Sequence, residues 1–197
     1  MRKTVLAIAL PALPLGKGIV PTILAAGLAL LAACLAPAAA QEPPGGRRGT
    51  GLPVPRYVSL KTDRVNLREG PSKDHRTAWV FQRAGLPVEI VAEYETWRRI
   101  RDSEGTEGWV LHSLLSGRRT ALIMPWVKDA ATSITLVDRA DDRAETVARL
   151  QPGVIANVRD CTGTWCHVVI VLDGSRDVEG FIRQEKLWGV YPNERVE

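Results

Sequence analysis

Histidine and cysteine are scarce in this sequence, and so are the spacings that give them chemistry. Its three histidines, His75, His112 and His167, are scattered, and none stands at the distance from a second ligand that a zinc site requires. The three cysteines, Cys34, Cys161 and Cys166, form no Cys-x-x-Cys pair of the kind that thiol redox chemistry uses. Cys166 and His167 are neighbours, but adjacent residues on a strand point to opposite faces, so this imidazole cannot activate this thiol. No phosphate-cradling glycine loop and no Gly-x-Ser-x-Gly elbow occurs. The carboxylates Glu104, Glu107, Asp141, Asp142 and Glu145 sit in charge-mixed, turn-like stretches and read as solvated loops. The expectation is a protein without catalysis, cofactor or metal.

Acidic residues are also missing from the first forty positions, which hold Arg2, Lys3 and Lys17. That asymmetry accounts for most of the net charge of +4 and the isoelectric point near 9.2. Elsewhere 23 basic groups face 22 acidic ones. No basic stripe with interleaved aromatics is left, which argues against a nucleic-acid partner.

From Gly18 to Cys34 the chain is almost wholly Ala, Leu, Ile, Val and Gly, and Ala38-Ala39-Ala40 precedes Gln41. A charged start, an apolar middle and a small-residue site predict a secretory signal over residues 1–40, cut after Ala40. The alternative is a membrane anchor, for which the run is about long enough. Leu31-Ala32-Ala33-Cys34 also resembles a lipobox, and on that alternative Cys34 carries lipid. The expected location is periplasmic or secreted, or else a membrane-anchored lipoprotein, with membrane contact only through the signal segment or the lipid. Residues 41–56 are dense in Pro and Gly and too poor in apolar bulk to offset ordering entropy, so they read as a flexible tether.

Beyond the tether the pattern changes. Val65 and Leu67 alternate with Asn66 and Arg68, the period of a half-buried strand, and Gly70-Pro71 ends it. Gly85 then introduces the apolar run Leu86, Val88 and Ile90, which is followed by Trp97 and later by Gly108-Trp109-Val110. Asn-Leu-Arg-x-Gly-Pro-Ser, a later Trp and a closing Gly-Trp-Val together resemble the bacterial Src-homology-3-like (SH3b) domain. The resemblance implies a small barrel over residues 57–118 and a binding module. Strands are expected at Tyr57–Leu60, Val88–Tyr94, Trp97–Arg101 and Trp109–Leu111, with a helical turn over His112–Leu115.

The order then recurs. Ile134-Thr135-Leu136 stands for Val65-Asn66-Leu67, Gly153 leads to Trp165 as Gly85 leads to Trp97, and Gly180-Phe181-Ile182 answers Gly108-Trp109-Val110. The repeat predicts an all-β protein of two tandem SH3-like barrels, the second and more divergent one over residues 122–192. Val137-Asp138-Arg139-Ala140 replaces Arg-Glu-Gly-Pro there, which puts a ligand role for its first loop in doubt. Arg118 to Trp126 reads as a connector short enough to make the barrels pack together. Barrels of about sixty residues are marginal alone. Such tandem barrels resemble an exported SH3-like protein of proteobacteria.

Trp109 and Phe181 each follow a glycine in a strand and are expected in the cores. Trp79, Tyr94 and Trp97 lie near turns, where an apolar body with a polar tip suits recognition. They are expected to line one groove, with Arg99 on its rim. The acidic and aromatic clusters that serve proline-rich ligands are not recognisable, so that specificity is not carried over. The expected partner is peptidoglycan peptide or an envelope protein. The alternative is a structural or assembly subunit whose aromatic surface a partner or a second copy covers.

Export and an even count, once Cys34 is set aside, predict a disulfide between Cys161 and Cys166. Gly163-Thr164 suits a two-residue hairpin loop, which places the two cysteines directly opposite each other. In the first repeat the same positions hold Glu93 and Arg98, an opposite-charge pair.

Overall fold

The computed structural model describes residues 49–172 and 177–197. The signal segment, the lipobox at Cys34 and the tether through Arg48 lie outside the described residues. Both repeats belong to one compact unit.

Each repeat is a strongly bent antiparallel sheet. The first contains β1 (Arg56–Leu60), β2 (Val65–Arg68), β3 (Thr77–Phe81), β4 (Pro87–Tyr94), β5 (Trp97–Arg101), β6 (Glu107–Leu111) and β7 (Leu115–Ser116). The second contains β8 (Thr120–Ile123), β9 (Ile134–Val137), β10 (Thr146–Leu150), β11 (Ile155–Thr162), β12 (Trp165–Ile170), β13 (Val178–Arg183) and β14 (Leu187–Trp188). Their orders, β3-β2-β6-β5-β4-β1-β7 and β10-β9-β13-β12-β11-β8-β14, are the same order repeated. A short 3-10 turn, His112–Leu114 or Gln184–Lys186, precedes the last strand of each. A further strand, β15 (Arg195–Val196), returns to pair with β11 at Cys161 and Thr162.

Alternation in the sequence becomes the inward face of each barrel. Val65, Leu67, Ile100 and Val110 are wholly buried in the first core, as Leu136, Val168 and Ala156 are in the second. Gly108 and Gly180 occupy equivalent crossings where β6 and β13 pass close to β2 and β9. A Cβ on Gly108 would lie 2.6 Å from Leu67 Cγ, and one on Gly180 would lie 2.7 Å from the Val137 carbonyl oxygen. Glycine is needed there because another strand occupies the space.

The connector is shorter than the sequence suggests. Thr120–Ile123 is the opening strand of the second barrel, leaving only residues 117–119 between β7 and β8. The strand showed no alternation because all four of its residues are buried. Ala121 and Ile123 enter the second core. Thr120 and Leu122 face the first barrel instead: Thr120 Oγ1 donates to the Gly85 carbonyl at 2.8 Å, and Leu122 lines a concavity with Trp79 and Phe81. The reciprocal bond runs from Arg83 Nη1 to the carbonyl of Gly153, the repeat equivalent of Gly85, at 3.1 Å. Aromatic contacts complete the seam. The Tyr57 ring meets Trp188 edge-on at 5.1 Å, and the Tyr191 hydroxyl donates to Glu89 at 2.9 Å.

The hairpin tips are tied as the pairing of equivalent positions implies. Cys161 and Cys166 are in register and joined by a disulfide, with Cα atoms 4.1 Å apart, and Gly163 in their loop has φ +97°. In the first barrel Glu93 faces Arg98 in register, with Arg98 Nε 3.2 Å from its carboxylate. This pair is no surface bridge. The Arg98 side chain is 4% exposed and that of Glu93 8%. Glu93 also accepts from the Thr50 amide, the Thr50 hydroxyl and Arg56 Nη2, so residues 50–56, read as the end of a free tether, are held against the barrel. At the position equivalent to Arg56, Arg119 finds its carboxylate in Glu194 of the C-terminal return, at 2.8 Å. The disulfide has taken the place of Glu93 in that repeat.

Candidate functional site

The outer face of β4, β5 and β6 gathers the aromatic residues of the first barrel. Register places Tyr94 opposite Trp97, Trp97 opposite Leu111, Arg99 opposite Trp109, and Trp109 opposite Arg68 of β2. Since side chains alternate along each strand, these residues share the face away from the core. Tyr94 meets Trp109 edge-on at 6.5 Å, and Arg99 Nη2 lies 2.9 Å from Glu107. Trp109 is half-buried on this outer face and is not part of the core, where it was expected. Gly108 and Val110 are the buried neighbours on either side of it. Phe181 is displaced from the second core in the same way, and stacks on His167 with centroids 4.6 Å apart.

Beside this face lies a groove of about 260 Å³. It is lined by Trp97, which is almost completely covered, with Leu111 and Leu114. The other lining residues are Arg64, Asn66, Arg68 and, from the loop between β2 and β3, Lys73. Arg68 Nη1 donates to the His75 carbonyl at 2.7 Å, which fixes the loop over the strand. Arg64 and Lys73 make no ion pair among the described residues.

Three of the four expected site residues, Tyr94, Trp97 and Arg99, are therefore brought to one sheet face. Trp79 is not. It lies on β3, an edge strand, 59% exposed, beside a separate concavity of about 300 Å³ that includes Phe81, Pro87 and Leu122. Trp79 and Trp97 line separate concavities. Sequence spacing could not separate them, because β3 and β5 lie on opposite sides of β2 and β6. The basic lining was also missed. Its residues come from a strand and a loop whose charges look like ordinary solvated ones until β2 is set against Trp97.

The second barrel has an equivalent groove of about 340 Å³, with Trp165 in the place of Trp97. Arg183 stands opposite Trp165, where Leu111 stands opposite Trp97. The guanidinium lies over the indole at 4.5 Å, and its Nε donates to Asp142 at 2.9 Å. The Arg183–Asp142 pair thus crosses this groove beside Trp165. Nearby, His167 bridges Asp160 and Glu179 at 3.2 and 2.8 Å.

Both repeats match one family. The bacterial SH3 domain matches residues 61–117 and 130–189, more than half of the chain, and the protein belongs to that family of binding modules. Two solved structures are similar at low level. NlpC2 from Trichomonas vaginalis is 11% identical, covers 68% of this chain over 48% of its own, and has a TM-score of 0.30. NlpC1 from the same organism is 12% identical, covers 71% over 47%, and has a TM-score of 0.30. The chain thus spans about half the length of either. No curated protein matches the sequence.

Proposed function

We propose that this protein is a non-catalytic binding module of the bacterial cell envelope, which takes cell-wall peptide or an envelope protein at the outer face of its first barrel. The observation that carries this reading is the asymmetry between the two grooves. The second is crossed by the Arg183–Asp142 ion pair, whereas the cations lining the first, Arg64, Arg68 and Lys73, have no carboxylate partner among the described residues. Tyr94, opposite Trp97 in register and 44% exposed, adds to the same sheet face, with Arg99 at its rim. Family membership supports binding over catalysis. The charged, apolar and small-residue order of positions 1–40 supports export to the periplasm or beyond, either as a cleaved chain or as a lipoprotein anchored through Cys34.

The test is sedimentation of the full chain with purified peptidoglycan. Wild-type protein is expected to pellet with the wall, and Tyr94→Ala together with Trp97→Ala to remain in the supernatant while still folded by circular dichroism. A wild-type protein that stays in the supernatant and forms a stable oligomer would refute the reading in favour of an assembly subunit. Trp79 favours that second reading, since so large an apolar surface beside Leu122 at the seam is suited to permanent cover.

A further inference from the structure

The two grooves are built from equivalent positions, so their differences can be read residue by residue. Glu69 and Arg76 close the first loop through a bond from amide to carbonyl, as Asp138 and Glu145 close the second. Lys73 is thereby equivalent to Asp142, and Leu111 to Arg183. In the second barrel a cation crosses from β13 to an anion on the loop and covers the tryptophan between them. In the first barrel the crossing residue is apolar and the loop residue is a cation. Arg68 adds a further positive charge where the second barrel has Val137.

The result is a groove in which Arg64, Arg68 and Lys73 share the lining with Leu111, Leu114 and the Trp97 indole, with no carboxylate among the lining residues. Cations that line one groove repel one another, and an anion entering it relieves that repulsion while gaining charge-assisted hydrogen bonds. We propose that the first-barrel groove binds a peptide through a free carboxylate, held by Lys73, Arg64 and Arg68, with the adjoining aliphatic group on Trp97 and Leu111. The ligand carboxylate supplies the negative charge that Asp142 supplies internally in the second barrel. The proposal rests on the reading of the first barrel as the one that binds, and gives that site its ligand class.

The experiment uses the full chain and two probes, N-acetyl-alanyl-alanine with a free carboxylate and the same dipeptide as its C-terminal amide. Neither carries any other charge. The acid is expected to shift the Trp97 indole resonance in a titration, to bind more weakly as salt is raised, and to bind about tenfold more tightly than the amide, the size of one charged hydrogen bond. Lys73→Glu, an exposed loop change that should leave the fold intact, is expected to abolish the preference. Equal binding of acid and amide, no shift at Trp97 with either, or an unchanged preference in Lys73→Glu would each overturn the proposal. If acid and amide bind alike while the protein still pellets with peptidoglycan, the carboxylate proposal fails and the envelope reading stands. If the acid is preferred but the protein does not pellet, the groove chemistry stands and the wall reading fails.

Discussion

Glu93 is one carboxylate serving three donors and a buried cation, and replacing it tests whether the first hairpin is held by buried charge. Its side chain is 8% exposed and accepts from the Thr50 amide and hydroxyl and from Arg56, while the Arg98 guanidinium lies 3.2 Å away as an ion-pair partner. Burial alone would raise its pKa. The bonds from Arg56 and Thr50 and the charge of Arg98 outweigh that and hold it down, from 4.5 to about 2. At about 1.4 kcal/mol per tenfold change in proton affinity, this corresponds to about 3 kcal/mol in favour of the folded, ionised form. Arg56 is 19% exposed and can turn to water when its partner is lost, so Glu93→Gln should cost roughly 2–3 kcal/mol rather than the upper range for breaking a buried pair. For a domain pair of this size that is a fall in Tm of about 5–10 °C. The sign of the pH effect is fixed. The folded pKa lies below the unfolded one, so the contribution is complete above pH 4.5 and disappears as the pH falls from there towards 2. Urea unfolding of wild type and Glu93→Gln between pH 2 and 7 measures both. The two curves should lie apart at pH 7 and approach each other in acid. A variant within about 0.5 kcal/mol of wild type at pH 7, the range of an ordinary surface substitution, would refute the account.

The disulfide closes a loop only a few residues long, so replacing both cysteines by serine should cost about 2 kcal/mol on the chain-entropy account, read from urea midpoints; unchanged midpoints would count against it. Non-reducing mass spectrometry of the protein should find neither thiol open to alkylation. Gly108→Ala and Gly180→Ala should each destabilise by about 1–3 kcal/mol in thermal unfolding. Gly180→Ala should be the worse of the two, because its closest neighbour is a backbone oxygen and that of Gly108 is a leucine side chain. The Tyr57 phenol is pushed up to about 12, by burial first and then by the carboxylates of Glu89 and Glu194. Its folded pKa is the higher one, so its contribution to the seam is complete below pH 10 and lost as the pH rises through about 12. Burial and the hydrogen bond to Glu89 push the Tyr191 phenol up further still, so ultraviolet titration of tyrosinate should find two late-ionising phenols in wild type and one in Tyr57→Phe.

Local pattern determined much of this protein. Alternation fixed β2, β4 and β5, the recurrence of Gly85 to Trp97 as Gly153 to Trp165 revealed two barrels, and the two-residue loop at Gly163-Thr164 set Cys161 against Cys166. Those features are legible because each depends on neighbours in sequence: the period of a strand, the span of a hairpin, the φ that glycine allows. No strand was read at β3, β10 or β15, and Thr120–Ile123 looked like a connector, because an edge or a twice-buried strand carries no clean alternation. Only the tertiary structure decided that Trp109 faces outward, that Trp79 stands apart from Trp97, and that Lys73 and Arg64 share a groove while Arg183 crosses its counterpart to Asp142. Each of these depends on which strand lies beside which, and on what the loop after β2 or β9 is carried over. Residues distant in sequence acquire a common environment only when the sheet closes.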